Sequence, residues 1–335
     1  LKINLRGDDD MCTGITFRAS NGDVIFGRTM DYDYPLNGFS AVQPRGYSFK
    51  SHVDYKGKTL YAFAGAGSDM EGFVFGDGVN EHGLAMSNQY DRGYASYATD
   101  IRDGYINISQ TEVLVWALGY NRNIEELIEN AKHVNVVAYS YSDINEVPPL
   151  HYHLSDASGR TVEVTFVEGR IVVIDNPIGV LTNNPDLNWH YENLKHYMHV
   201  TPYKIDNTFS KQFNLGNMNG TFGLPGGYTS GERFVRAAYL VHHLLPDSDD
   251  HPILDAFRIL DHVSVPKGAV RPSDNGFYYT LYQTVFNLTT KTLYIKYYDS
   301  NTITELQLTD DLINRDDLVV FSRKNKGLYT EKVNG

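Results

Sequence analysis

Short apolar runs separated by turn residues recur along most of this chain, and they commit it to a fold built on sheets. The earliest pair is the tightest. Cys12-Thr13-Gly14-Ile15-Thr16-Phe17-Arg18 is followed by a turn at Asn21-Gly22. A second run, Val24-Ile25-Phe26-Gly27, then leads into Arg28-Thr29-Met30-Asp31. Asn-Gly between two such runs predicts a hairpin. Paired strands set residues distant in sequence about 5 Å apart. The hairpin therefore brings Arg28 and Asp31 back towards Cys12, the only cysteine in the chain. A cation beside a thiol lowers its pKa, and a carboxylate can hold an amine. On these residues alone, the segment suits a nucleophile and a buried small hydrophobe equally.

Further strands are expected at 61–67 and 73–84, with a turn signal across Asn80-Glu81-His82-Gly83. Others are expected at 151–154, 161–166, 170–174, 278–287, 292–298 and 304–308. Helices are expected at 109–118, where Ser109 and Glu112 form a capping-box pair, and at 123–133, where Ile124, Leu127, Ile128 and Ala131 share a face. Three more fall at 189–197, 231–245 and 252–263. Residues 201–227 are polar and aperiodic and read as a long loop, of the kind that is usually functional or engaged between subunits. Strands, helices, strands, helices, strands is an order that suits layered sheets covered by helices.

Composition removes several function classes. The 335 residues carry a formal net charge of -12 with no basic run, which argues against nucleic acid or an anionic membrane surface as partner. No stretch approaches the roughly 18 apolar residues of a membrane span. One cysteine excludes an internal disulfide framework. Residues 1–10 contain no apolar core of a secretory signal. The expectation is therefore a leader over 1–11, one domain over 12–335, and a cytoplasmic location. His151 and His153 alternate on one strand face without a third ligand of convincing spacing, and His242-His243 point two ways. No metal and no cofactor are expected.

Several segments, in this order, resemble the choloylglycine hydrolase family of N-terminal-nucleophile hydrolases, which holds penicillin V acylases and conjugated bile salt hydrolases. They are Met11-Cys12-Thr13, Gly27-Arg28-Thr29-Met30-Asp31, and Asp77-Gly78-Val79-Asn80-Glu81-His82-Gly83-Leu84. Leu181-Thr182-Asn183-Asn184-Pro185 with Trp189-His190 follows, then Gly223-Leu224-Pro225-Gly226 leading to Glu232-Arg233-Phe234. The resemblance spans nearly everything from Met11 to about Phe321. It implies an α+β fold, an αββα four-layer sandwich of two antiparallel sheets between helices, and a homotetramer in which 201–227 is an assembly arm.

The same resemblance implies roles. Cys12 is the nucleophile, and its own freed α-amine is the general base. Arg28 is the cation beside the thiol, Asp31 orients the amine, Asn183 supplies a side-chain oxyanion donor, and Arg233 is a second active-site arginine. Taken singly, Arg28 with Asp31 suits a structural pair, Asn183 a turn before proline, and Arg233 a solvated charge. Tyr90 falls where penicillin V acylases of the family carry tyrosine and bile salt hydrolases asparagine, and its backbone N–H is the implied second oxyanion donor. Penicillin V is therefore the first expected substrate, conjugated bile salts the second and N-acyl homoserine lactones the third. A non-catalytic amide-binding protein is the alternative of another class. Tyr32, Tyr34, Met70, Phe73 and Tyr141 are expected to supply apolar pocket contacts. The mechanism requires the Met11–Cys12 bond to be cut, by methionine removal or by attack of Cys12 on the Met11 carbonyl.

Overall fold

The Asn21-Gly22 turn closes the hairpin where the sequence places it. Met11–Arg18 pairs antiparallel with Val24–Tyr32, in a register that sets Cys12 opposite Met30 and Gly14 opposite Arg28. Both strands are buried almost throughout, because both faces of their sheet are covered. Strands in that position read as continuous apolar runs instead of alternating ones. The structure is a computed structural model and describes residues 11–33, 36–207, 209–213, 220–245, 251–273, 276–323 and 326–330. Residues 1–10 of the expected leader, Tyr34 and part of the 201–227 loop lie outside the described residues.

Around the hairpin runs a seven-stranded sheet in the order Val180–Leu181, Met11–Arg18, Val24–Tyr32, Gly276–Asn287, Thr292–Tyr297 and Ile303–Gln307, with Val270–Ser273 paired to Gly276–Asn287. An eight-stranded sheet faces it. Its order is Arg170–Asp175, Thr161–Val167, Leu150–Ser155, Ala85–Tyr90, Phe73–Asn80, Phe63–Asp69, Phe39–Gln43 and Val319–Phe321. The pairings within both sheets are antiparallel. Val113–Tyr120 and Ile124–Ala131 cover the outer face of the eight-stranded sheet. Ser230–His243 and Pro252–Asp261 cover that of the seven-stranded sheet. The result is the expected α+β sandwich of helix, sheet, sheet and helix. Among the described residues no helix is long and apolar enough to cross a membrane.

The layer between the sheets changes character along its length. Val24, Phe26, Val79, Ala85, Phe286 and Leu293 pack one end as an apolar core. Further along, buried polar groups meet in pairs: Thr16 Oγ1 lies 2.9 Å from His153 Nε2, and Arg28 Nη1 lies 3.6 Å from Asp77 Oδ2. At the other end Met11, Cys12, Met30, Tyr32 and Tyr282 gather. The polar middle explains why Ala85–Tyr90 is absent from the expected strands. Ser87 and Gln89 are fully buried there, so the run reads as polar although these two side chains pack inside the molecule. The expected helix at 109–118 divides into a 3₁₀ turn, Gln110–Glu112, and Val113–Tyr120, with the Glu112 carboxylate accepting from the Ser109 N–H at 2.7 Å.

Candidate active site

Side chains alternate across a strand, and that alternation separates the charges of the hairpin. Cys12, Gly14, Arg28 and Met30 share the face towards the second sheet. Arg28 reaches along it to place Nη2 3.1 Å from Cys12 Sγ. It is fully buried and donates to the Gly76 carbonyl at 3.0 Å and to the Asn88 carbonyl at 2.9 Å. Gly76 is needed for this approach. A Cβ there would come within 2.8 Å of the Met30 methyl and 3.0 Å of Arg28 Nη1. Burial pushes the Cys12 thiol above its usual pKa, and the Arg28 charge opposes that rise. The thiol is thus protonated at rest and beside the cation that stabilises it once ionised.

Asp31 lies at the same end of the hairpin but on the opposite face. Its carboxylate accepts from Thr29 Oγ1 at 2.8 Å and from the Thr280 hydroxyl. Burial raises its pKa, and Arg233 opposes this. The amide N–H of Cys12 does not go to Asp31. It donates to Asn183 Oδ1 at 2.8 Å. Asn183 Oδ1 also accepts from Arg233 Nη2 at 2.8 Å, while Asn183 Nδ2 donates to the Tyr90 carbonyl at 2.9 Å. Arg233, fully buried, donates further to the Cys12 carbonyl at 2.6 Å and to Thr13 Oγ1 at 2.7 Å. Burial lowers its pKa to about 10. The Asn183 backbone is pinned by Ser230 Oγ, 2.7 Å from its carbonyl and 3.0 Å from its N–H, and by His190 Nε2 at 2.9 Å. His190 stacks on Phe234 at 4.6 Å, and burial lowers its pKa to about 4, so it is a neutral donor.

A cleft opens beside the thiol, holding about 80 Å³. Tyr32 and Tyr90 form one wall with their hydroxyls 2.9 Å apart, and Met70, Phe75, Ile144 and Tyr282 contribute elsewhere. Phe73 and Tyr141 do not line it. Phe73 stands behind Phe75, edge-on to it at 4.8 Å and packed against the helix-covered core. Tyr141 is buried against Thr111, to which its hydroxyl bonds. Tyr34 lies outside the described residues.

Sequence reasoning missed the groups that hold the site from behind. Asp77 pairs with Arg28 and accepts from Thr284 Oγ1 at 2.8 Å. A lone acid within Phe-Val-Phe-Gly-Asp-Gly-Val was the available signal, since a buried carboxylate demands a partner. Thr280 and Ser230 carried no such signal. Sequence spacing offers His151 no further ligands, whereas the fold supplies two. Asp91 and Glu163 join it, and the three offer one ligand atom each within 4.8 Å.

The family model of linear amide C–N hydrolases described as the choloylglycine hydrolase family matches residues 12–321. The chain belongs to this family. A bile salt hydrolase/transferase of Clostridium perfringens is 30% identical over 97% of this chain and 100% of its own length. A penicillin V acylase of Pectobacterium atrosepticum is 24% identical over 62% of this chain and 55% of its own. The crystal structure of a variant of conjugated bile acid hydrolase from Clostridium perfringens superposes with a TM-score of 0.87 at 29% identity, covering 96% of this chain and 100% of that one. As a member of the choloylglycine hydrolase family the chain is a linear amide hydrolase. A thiol, a guanidinium 3.1 Å from it and a side-chain amide 2.8 Å from the cysteine backbone nitrogen are groups that such chemistry can use.

Proposed function

We propose that this protein hydrolyses the amide bond of conjugated bile salts, with Cys12 acting as an N-terminal nucleophile once residues 1–11 are removed. The observation that carries the substrate is the extent of the likeness. The bile salt hydrolase matches along its whole length, and the penicillin V acylase along about half. This reverses the order expected from Tyr90. That ring forms a single wall of the cleft, so it sets a local width without defining the whole acyl group.

In the proposed mechanism, Cys12 Sγ adds to the substrate carbonyl and its proton passes to the Cys12 α-amine. A free α-amine has a reference pKa of about 8, close enough to neutrality to accept and return a proton. Asn183 Nδ2 and the Tyr90 backbone N–H receive the oxyanion, and Arg28 stabilises the thiolate. The C–N bond breaks as the α-amine returns the proton to the leaving nitrogen. Water then hydrolyses the thioester to the free acid and restores the thiol. With the Met11–Cys12 peptide intact, the nitrogen is an amide held by Asn183 and cannot serve as base. Cutting that bond turns the amide into a primary amine with one more hydrogen and a localised lone pair, and Asp31 is then the carboxylate that orients it.

Penicillin V is the second reading, supported by the small aromatic cleft. About 80 Å³ is well under the roughly 300–1,000 Å³ of pockets that enclose drug-sized ligands, and it suits a flat aryl group. Side-by-side kcat/KM values for glycocholate, taurocholate and penicillin V on processed protein decide between them, with Cys12→Ala as the control. Faster turnover of either bile salt is expected. A clear preference for penicillin V would overturn the substrate assignment, and full activity in Cys12→Ala would overturn the nucleophile.

A further inference from the structure

A buried cluster sits behind the residues assigned to the oxyanion. His151 Nδ1 lies 2.7 Å from Glu163 Oε1 and 3.9 Å from Asp91 Oδ2, and its Nε2 lies 3.0 Å from the Thr182 carbonyl oxygen. All three residues are at most 2% exposed. Asp91 directly follows Tyr90, and Thr182 directly precedes Asn183. The cluster therefore ties together the two backbone segments that carry the oxyanion donors, one residue from each. A carbonyl only accepts, so Nε2 bears a hydrogen. An ionised carboxylate only accepts as well, so Nδ1 bears another. The ring is then an imidazolium facing two acids.

We propose that His151 is a positioning residue: clamped by Glu163 and Asp91, its Nε2–H holds the Thr182 carbonyl and thereby fixes the Asn183 side chain against the Tyr90 backbone where the oxyanion forms. Ser230 and His190 grip Asn183 from the helix side, whereas His151 grips the preceding peptide from the sheet side. This rests on the reading of Asn183 as an oxyanion donor. A bound metal is the competing use of the same three side chains. Two ligands on a tetrahedral zinc with bonds of about 2.0–2.1 Å lie roughly 3.3 Å apart, whereas the His151–Glu163 contact of 2.7 Å is a hydrogen-bond length.

The sign of the pH dependence follows from the groups around the ring. Burial works against its charge, but Asp91 and Glu163 more than offset this and raise the His151 pKa. Asp186 adds negative charge beside Asp91, whose own pKa is raised by burial. The neighbouring His153 and His190 are lowered to about 3 and about 4 by burial, so they stay neutral near pH 7. Positioning is thus complete below the His151 pKa and is lost as pH rises through it, when a bare Nδ1 faces the carboxylates.

The experiment uses processed enzyme labelled with ¹⁵N-histidine, with kinetics on whichever of the three substrates above is turned over. At pH 7 both His151 ring nitrogens should report as protonated. His151→Gln should lower kcat by about 10- to 100-fold with KM within about twofold, the scale expected when a reacting group is displaced by around 1 Å. Glu163→Gln removes one clamping charge and keeps the shape. In it the His151 titration should move to lower pH, and kcat should fall with rising pH along the same curve. This second variant carries the test if His151→Gln does not fold. A bare Nδ1 at pH 7 in the parent, an unchanged kcat in His151→Gln, or stoichiometric metal lost with that variant would each overturn the proposal. Asn183→Ala separates the failures. If it leaves kcat intact, the oxyanion reading falls and the proposal with it. If it lowers kcat while His151→Gln does not, only the positioning role falls.

Discussion

Arg28 answers two buried groups at once, and its removal should therefore reach beyond catalysis. Its side chain and that of Asp77 are both fully buried, 3.6 Å apart. Burial already raises the Asp77 pKa against the opposing Arg28 charge. Arg28→Met leaves that carboxylate unpaired, which costs about 3–5 kcal/mol for a broken buried pair. A carboxylate whose folded pKa exceeds its unfolded value favours the fold at low pH, and this support is lost as pH rises through the folded pKa. The deficit of Arg28→Met relative to the parent should therefore shrink as pH falls, and urea unfolding at pH 5 and pH 8 checks it. Asn183→Ala should instead lower kcat by about 100- to 1000-fold with little change in KM, the usual effect of losing one oxyanion donor. Steady-state kinetics on folded protein decide, and an effect confined to KM would assign Asn183 to substrate contact. Sequence distance governs how readable these residues are. Cys12 and Arg28 meet within one hairpin, so a turn signal suffices. Asn183 and Arg233 reach Cys12 across 171 and 221 residues, and only a family resemblance brings them into view.

The elements were legible where water covers one of their faces and obscure where it covers neither. Ile124–Ala131 and Pro252–Asp261 announce themselves by apolar residues on one side only. Ala85–Tyr90 does not, because its polar residues pack into the layer between the sheets. Val180–Leu181 is too short to show a period, yet it pairs with Met11–Arg18 and delivers Thr182 and Asn183 to the site. The helix Ser230–His243 carries its start signal in the sequence. Thr229 and Glu232 form a capping box at its start, one turn from Arg233. Thr229→Ala should cost about 1 kcal/mol, as loss of an N-cap does, and should lower Tm measurably. Its effect on kcat should stay within about threefold. Arg233 keeps its bonds to the Tyr228 and Cys12 carbonyls, Thr13 Oγ1 and Asn183 Oδ1 whatever the cap does. A kcat loss as large as that of Asn183→Ala would instead show that the cap sets the arginine.

For the molecule as a whole, the two-sheet sandwich buries most of its large apolar side chains; exposed ones occur at several places, Leu60, Leu245 and Leu328 among them, and are densest in one region. Met198, Tyr203, Phe209 and Phe222 are 72%, 77%, 92% and 74% exposed, all within or beside the 201–227 loop. Single exposed apolar residues are ordinary, but a cluster of large ones marks a contact surface. Nearby, between the helix Ser230–His243 and residues 194–201, lies a cleft of about 1180 Å³, far larger than the space beside Cys12 and remote from it. Its lining mixes Ile178, Met198, Val200 and Val241 with Arg18 and His242. An aperiodic segment gains little from folding back on its own surface. Another copy's cleft, by contrast, could remove its aromatic rings from water at about 25 cal/mol per Å². On this ground, and on the family resemblance, the protein is expected to assemble as a homotetramer through this loop. Light scattering on the full chain should give about four times the monomer mass, and shortening the loop within 201–222 should lower it while leaving the sandwich folded. Replacing Phe209 and Phe222 together by serine should weaken assembly in the same direction without deleting backbone. A full chain that scatters as a monomer would remove the assembly role, and the exposed rings would then need another partner.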